Sequence, residues 1–195
     1  MKTLGVGIVL MVALFFCLPY HLYMKQLWKK NPEKSWEKAR RFVSGFFRFE
    51  LKLSGCKVNV IGKENIPQDG PVLFVGNHRS YFDILIYHEA IGKPLGFLAK
   101  KEMEKIPLLP LYMRDIGCLF LDREDIKQGL SVIKQGTEYM KQGHSMVVFP
   151  EGTRNQTDTL LPFREGGYKM AEKSKSPIVP VSICRSDLML ESAPK

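Results

Sequence analysis

The sequence predicts an α/β domain, a mixed sheet covered by helices, carried behind an N-terminal membrane-anchoring helical segment. Three observations predict it. After Gly55, short apolar runs alternate with helix-length stretches, which is the pattern of a sheet covered on both faces. Residues 3–24 contain no Asp, Glu, Lys or Arg. Between these two regions lies a basic stretch, with 10 Lys and Arg against 3 Asp and Glu from Lys25 to Lys57.

These features divide the 195 residues into a segment 1–54, an anchor followed by an amphipathic helix, and a domain 55–195. Of the formal net charge of +9, the basic stretch holds most, and residues 58–195 are nearly balanced, with 18 basic and 17 acidic side chains. A basic block beside an apolar run suits anionic lipid headgroups, and the balanced domain speaks against nucleic acid as a partner. Cys17, Cys56, Cys118 and Cys184 stand far apart without a CxxC pair, so neither a zinc site nor a disulfide framework is indicated.

As a helix, the run from Thr3 to Met24 would reach roughly 33 Å, enough for a hydrocarbon core of about 30 Å. No small-x-small cleavage site follows it, which favours an anchor over a signal peptide. Lys25, Lys29, Lys30 and Lys34 follow the run and only Lys2 precedes it. The excess of positive charge places the following domain on the cytoplasmic side of the cell membrane. From Ser35 to Ser54, Trp36, Ala39, Phe42, Val43, Phe46, Phe47, Phe49 and Leu53 share one helical arc, opposite Lys38, Arg41, Arg48 and Lys52. Such a helix either lies in the headgroup region or packs on the protein. The N-terminal helices could also embed together in one leaflet.

In the domain, strands are expected at 57–62, 71–77, 96–100, 116–121, 145–149 and 178–183. A helix is expected from Asp125 to Gln142, with Ile126, Leu130, Ile133, Thr137 and Met140 on one face, and shorter helices over 81–91 and 165–175.

Chemistry-bearing residues gather just after expected strands, where α/β sheets place their sites. In NHRSYFD, Asn77–Asp83, His78 lies in a turn and Asp83 in the first turn of the next helix. Ser80 and Asp83 also form a Ser-x-x-Asp capping signature, so Asp83 caps a helix, orients His78 as a general base, or does both. In FPEGTR, Phe149–Arg154, Pro150 stops a strand, Gly152 permits close approach, and Glu151 and Arg154 supply charge. Arg123 ends GCLFLDR just past another strand.

Taken together and in order, NHRSYFD, GCLFLDR, FPEGTR and IVPVSI (178–183) resemble the four blocks of the PlsC-type 1-acyl-sn-glycerol-3-phosphate (lysophosphatidic acid) acyltransferase family. The resemblance runs from about Gly55 to Ile183. KKE at 100–102 and LPFREGGYKMA at 161–171 resemble its intermediate segments. It implies transfer of a fatty acyl group from an acyl-CoA or acyl carrier protein thioester to the sn-2 hydroxyl of lysophosphatidic acid, giving phosphatidic acid. It further implies His78 and Asp83 as the catalytic pair, and Arg123, Glu151, Gly152, Thr153 and Arg154 around the acceptor. It implies no metal, no cofactor beyond the thioester co-substrate, and a phospholipid membrane as partner. The competing readings are a different lysophospholipid or glycerol phosphate acceptor, a thioesterase, and a catalytically silent lipid-binding relative. Members of the family usually continue beyond the fourth block, so a chain ending at Lys195 is expected to be a short member or a piece of a longer one.

Overall fold

The computed structural model describes residues 12, 14–157 and 159–189. Two N-terminal helices, α1 (Leu18–Lys30) and α2 (Pro32–Leu53), form a hairpin. Asn31 sets its corner: the side chain accepts a hydrogen bond from Lys34 N–H at 2.9 Å, and Pro32 occupies the first helical position. The domain follows as β1 (Leu73–Gly76), α3 (Phe82–Ile91), β2 (Leu95–Lys100), α4 (Leu109–Asp115), β3 (Leu119–Leu121), α5 (Ile126–Lys141), β4 (Ser145–Val148), α6 (Tyr168–Ser174) and β5 (Ile178–Val181).

The strands form one sheet in the order β3–β2–β4–β1–β5. A mixed sheet was the expectation, yet every described pairing is parallel. Parallel neighbours require a crossover between strands, and the helices supply it, covering both faces. The registers pair Leu73 with Met146 and Phe74 with Val147, so successive side chains point to opposite faces. Phe74 and Val147 pack with Tyr87 and Ile91 of α3, Ala39 of α2 and Met24 of α1. Leu73, Met146 and Val148 pack with Val132, Ile133 and Met140 of α5 and Met170 of α6. Phe74 is fully buried, and truncating a buried Phe to Ala costs about 3–5 kcal/mol.

Several expectations change. Residues 57–62 form no strand: Val60 and Ile61 are exposed, Ile61 by 90%, and Gly62 turns the chain at φ 78° into a 3₁₀ turn. Alternating residues make a strand only beside a partner edge, which this segment lacks among the described residues. Helix α5 forms with Asp125 as its N-cap, accepting from Gln128 N–H at 3.0 Å. Its buried face holds Val132, Ile133, Gly136, Thr137 and Met140, whereas Ile126 and Leu130 are exposed. Helix α4 was not expected: its Pro110 reads locally as a break but lies in the first turn, where proline is tolerated.

Residues 3–11 and 13 of the expected membrane run lie outside the described residues. Among the described residues no helix is long and apolar enough to cross a membrane. Helix α2 packs on the protein with part of its apolar arc and leaves part of it exposed. Trp36, Ala39 and Leu51 are buried against the protein, while Phe49 and Leu53 are exposed.

Two buried histidines give the fold a pH dependence. His88 lies between Phe47 and Phe97 with neither ring nitrogen hydrogen-bonded, and burial, followed by the Arg40 charge, pushes its pKa down to about 3. His144 stacks on Trp36 at 4.1 Å and is likewise pushed down to about 3, chiefly by burial. Both stay neutral when folded, whereas the unfolded chain protonates them below their ordinary value of about 6.5. Their contribution is therefore fully present above that pH and is lost as pH falls toward 3. Replacing His88 with Phe should reduce the drop in melting temperature between about pH 7.5 and 5.5. An unchanged drop in the variant would contradict this assignment.

Candidate active site

His78 and Asp83 meet just beyond the carboxyl end of β1. His78 Nδ1 lies 2.7 Å from Asp83 Oδ2. The same oxygen accepts the backbone N–H of Arg79 at 2.7 Å and of Ser80 at 3.0 Å. Ser80 Oγ in turn accepts from Phe82 N–H at 3.1 Å. Capping and orienting are thus performed by one carboxylate. Burial raises the Asp83 pKa, but the hydrogen bonds from His78, Ser80 and Arg79, helped by the nearby Ser186 hydroxyl, outweigh it and hold the value below the ordinary one. Ionised Asp83 can only accept, so the proton between the two side chains belongs to His78 Nδ1, and Nε2 is left as a base.

Two further contacts fix the imidazole and its turn. Phe149, the first residue of FPEGTR, stacks on the His78 ring at 4.1 Å and 11°. Asn155 N–H donates to the His78 carbonyl at 2.7 Å. Before the turn, Asn77 pairs through both ends of its amide with the backbone of Ile183, each bond 2.8 Å, extending the β1–β5 ladder by a side chain.

The loop carrying FPEGTR connects this pair to a cationic spot. Gly152 has φ 72°, and a Cβ there would lie 3.0 Å from Arg164 Nε and 3.5 Å from Arg123 Cζ. The absent side chain lets two guanidinium-bearing chains approach one backbone turn. Burial and then the Arg164 charge lower the Arg123 pKa, with Glu102 opposing. Two adjacent cations on an exposed rim form a receptive place for a phosphate or another dianion.

The other expected site residues are placed differently. Glu151 is 6% exposed and turned inward: Oε2 accepts from Asn155 Nδ2 at 2.5 Å and from Leu161 N–H at 2.9 Å. It braces the loop 155–161 and lines a cavity of about 160 Å³ with Asn77, Arg79 and Thr157. Arg154 places its guanidinium 3.9 Å over the Tyr81 ring, joining the third block to the first. Thr153 is exposed. Sequence reasoning did not single out Arg164 or Phe149. Arg164 falls within the LPFREGGYKMA segment, but only its meeting with Arg123 across Gly152 reveals a role for it. A larger cavity of about 530 Å³ lies elsewhere, between α1, α4 and α5, and is lined by none of these residues.

A parallel sheet with an oriented His–Asp base and a two-arginine anion spot beyond its strand ends defines a class of site suited to general-base attack on an activated acyl group. Comparison with known proteins agrees. Residues 57–184 match the Acyltransferase family, and the chain belongs to it. It is 37% identical over 166 residues to the probable 1-acyl-sn-glycerol-3-phosphate acyltransferase of Mycoplasma pneumoniae, covering 83% of this chain and 60% of that protein. It is 34% identical over 136 residues to the 1-acyl-sn-glycerol-3-phosphate acyltransferase of Borreliella burgdorferi, covering 70% and 54%. The chain therefore spans little more than half the length of these curated relatives. The crystal structure of the 1-acyl-sn-glycerophosphate acyltransferase PlsC from Thermotoga maritima shares the fold, with a TM-score of 0.62 at 23% identity over 92% of this chain and 75% of that one.

Replacing Asp83 with Asn keeps an oxygen for the Arg79 and Ser80 N–H groups but removes the charge that supports imidazolium. Turnover should fall by about two to four orders of magnitude, with little change in melting temperature. A variant that loses stability while its folded fraction keeps full turnover would leave Asp83 as a cap alone.

Proposed function

We propose that the chain transfers a fatty acyl group from an acyl-CoA or acyl carrier protein thioester to the sn-2 hydroxyl of 1-acyl-sn-glycerol 3-phosphate. The product is phosphatidic acid, an intermediate of phospholipid synthesis. The observation that carries this reading is the FPEGTR loop, which touches the base through Phe149 and the arginine pair through Gly152. A lysophosphatidic acid offers the two groups such an arrangement takes, a hydroxyl for the base and a phosphate for the cations. The activity named for the Mycoplasma and Borreliella relatives supports the same substrate class.

In this mechanism His78 Nε2 removes the hydroxyl proton while the oxygen attacks the thioester carbonyl. The new C–O ester bond forms, the C–S bond breaks, and the proton passes from His78 to the departing thiolate. Asp83 balances the transient imidazolium, and Phe149 keeps its ring in plane. The acceptor alcohol is itself the nucleophile, so no acyl-enzyme is required. The reaction takes place at the cytoplasmic face of the membrane, held there by the N-terminal segment. Its basic residues and the exposed Phe49 and Leu53 of α2 support that placement.

Purified protein in detergent should form phosphatidic acid from 1-acyl-sn-glycerol 3-phosphate with one or both thioester donors. Arg123→Ala and Arg164→Ala should each raise KM for the acceptor by about 10-fold or more, with smaller changes in kcat. Unchanged acceptor saturation in both variants would detach the arginine pair from the phosphate. In fractionated cells the chain should stay with membranes after a high-salt wash. Quantitative recovery in the soluble fraction contradicts the membrane placement.

A further inference from the structure

The chain returns to the His–Asp pair once more, after β5. Asn77 holds Ile183 by its two amide bonds, and two residues later Arg185 takes φ 63°, a left-handed conformation uncommon outside glycine. The 3₁₀ turn Ser186–Met189 then packs against α3. Its first two residues are buried, Ser186 at 2% exposure and Asp187 at 8%. Asp187 Oδ1 accepts from Arg79 Nε at 3.1 Å, and it is the backbone N–H of Arg79 that donates to Asp83.

Asp83 uses its two oxygens unequally. Oδ2 takes all the bonds described above, from His78, Arg79 and Ser80. Oδ1 is buried without a fully formed hydrogen bond, and so is Ser186 Oγ. Ser186 nonetheless lies close enough to act on the Asp83 carboxyl. One of these atoms can only accept, and the other carries a rotatable O–H. An unpaired carboxylate oxygen in a buried site is costly, and a short rotation of the hydroxyl supplies the missing donor.

We propose that Ser186 is a positioning residue of this site, donating its Oγ–H to Asp83 Oδ1 and so fixing the carboxylate rotation that aims Oδ2 at His78 Nδ1. The assignment rests on the acyltransferase reading for its kinetic consequence, but its geometric content does not. A carboxylate held at one oxygen by three donors can swing about its Cβ–Cγ bond. A fourth donor at the other oxygen, from a turn anchored by Asp187 on Arg79, prevents that. Ser186 also disperses part of the carboxylate charge. Without it, Asp83 attracts the imidazolium proton more strongly, and the His78 pKa should rise.

The test compares wild type with Ser186→Ala and Ser186→Thr. Acyl transfer from a thioester donor to 1-acyl-sn-glycerol 3-phosphate gives kcat and KM. Thermal unfolding gives stability, and NMR of ¹⁵N-histidine-labelled protein without substrate follows the His78 titration. The alanine variant should lose about tenfold in kcat, as expected for a hydrogen bond to a charged group, with acceptor KM little changed. Its His78 titration should move upward, along with the acidic limb of the rate profile. The threonine variant, which keeps the hydroxyl, should restore most of the rate. An alanine variant with unchanged kcat overturns the proposal, as does a His78 titration that stays in place or moves down. Loss of activity only in proportion to the unfolded fraction reduces Ser186 to packing and also overturns it. If wild type transfers no acyl group, the functional reading fails while the NMR comparison still decides the role of Ser186.

Discussion

The buried carboxylate of Asp83 is the constraint on which the site depends. It has lost most of its water, and an isolated charge in that position would neutralise itself by taking a proton. It remains ionised because N–H donors converge on Oδ2: two from the backbone at the start of α3 and one from His78. The helix start therefore depends on the carboxylate, and the carboxylate on the helix start. His78 joins this closed set as the member whose second nitrogen still faces outward. Capping and orienting, which look like rival explanations of one motif, are the same hydrogen-bond set viewed from the backbone and from the imidazole.

That arrangement is held in place by the strands on either side of β1. To one side, β4 runs directly into Phe149, whose ring lies flat against His78. To the other, β5 delivers Ile183 to the Asn77 amide. Because β1 lies between β4 and β5 in a parallel sheet, both neighbours end at the same edge, and their loops converge on a single turn. Three residues past Phe149, the same loop reaches the arginine pair. Glu151, the carboxylate between these two contacts, is spent on holding the loop to Asn155 and Leu161. A buried carboxylate satisfied by such donors costs less than one left unpaired, and the loop it braces continues the one that joins base and cations.

The N-terminal helices belong to the same structure through the face of the sheet that α3 also covers. Met24, Trp36 and Ala39 are as buried as the strand residues they cover, and Trp36 stacks on the neutral ring of His144. The hairpin is thus part of the domain core, with apolar side chains also facing outward along α2. Part of the aromatic arc stays exposed because it is wider than a single packing interface requires.

Much of this was legible in the sequence. Five of the six expected strands form, α5 starts at Asp125, whose side chain caps it, and His78 and Asp83 meet as the Ser-x-x-Asp pattern allowed. These features follow from local periodicity and from contacts within a few residues, which the linear order encodes directly. The rest was decided only by tertiary structure. Residues 57–62 alternate like a strand but find no edge, Ile126 and Leu130 share a helical face that nothing covers, and Glu151 turns inward. Arg164 becomes half of a cationic pair because the sheet order brings its loop to Arg123 across Gly152, and Ser186 reaches Asp83 because β5 lies beside β1. Each depends on which strand ends are neighbours, and that is set by long-range pairing whose partners leave no periodic mark on either segment alone.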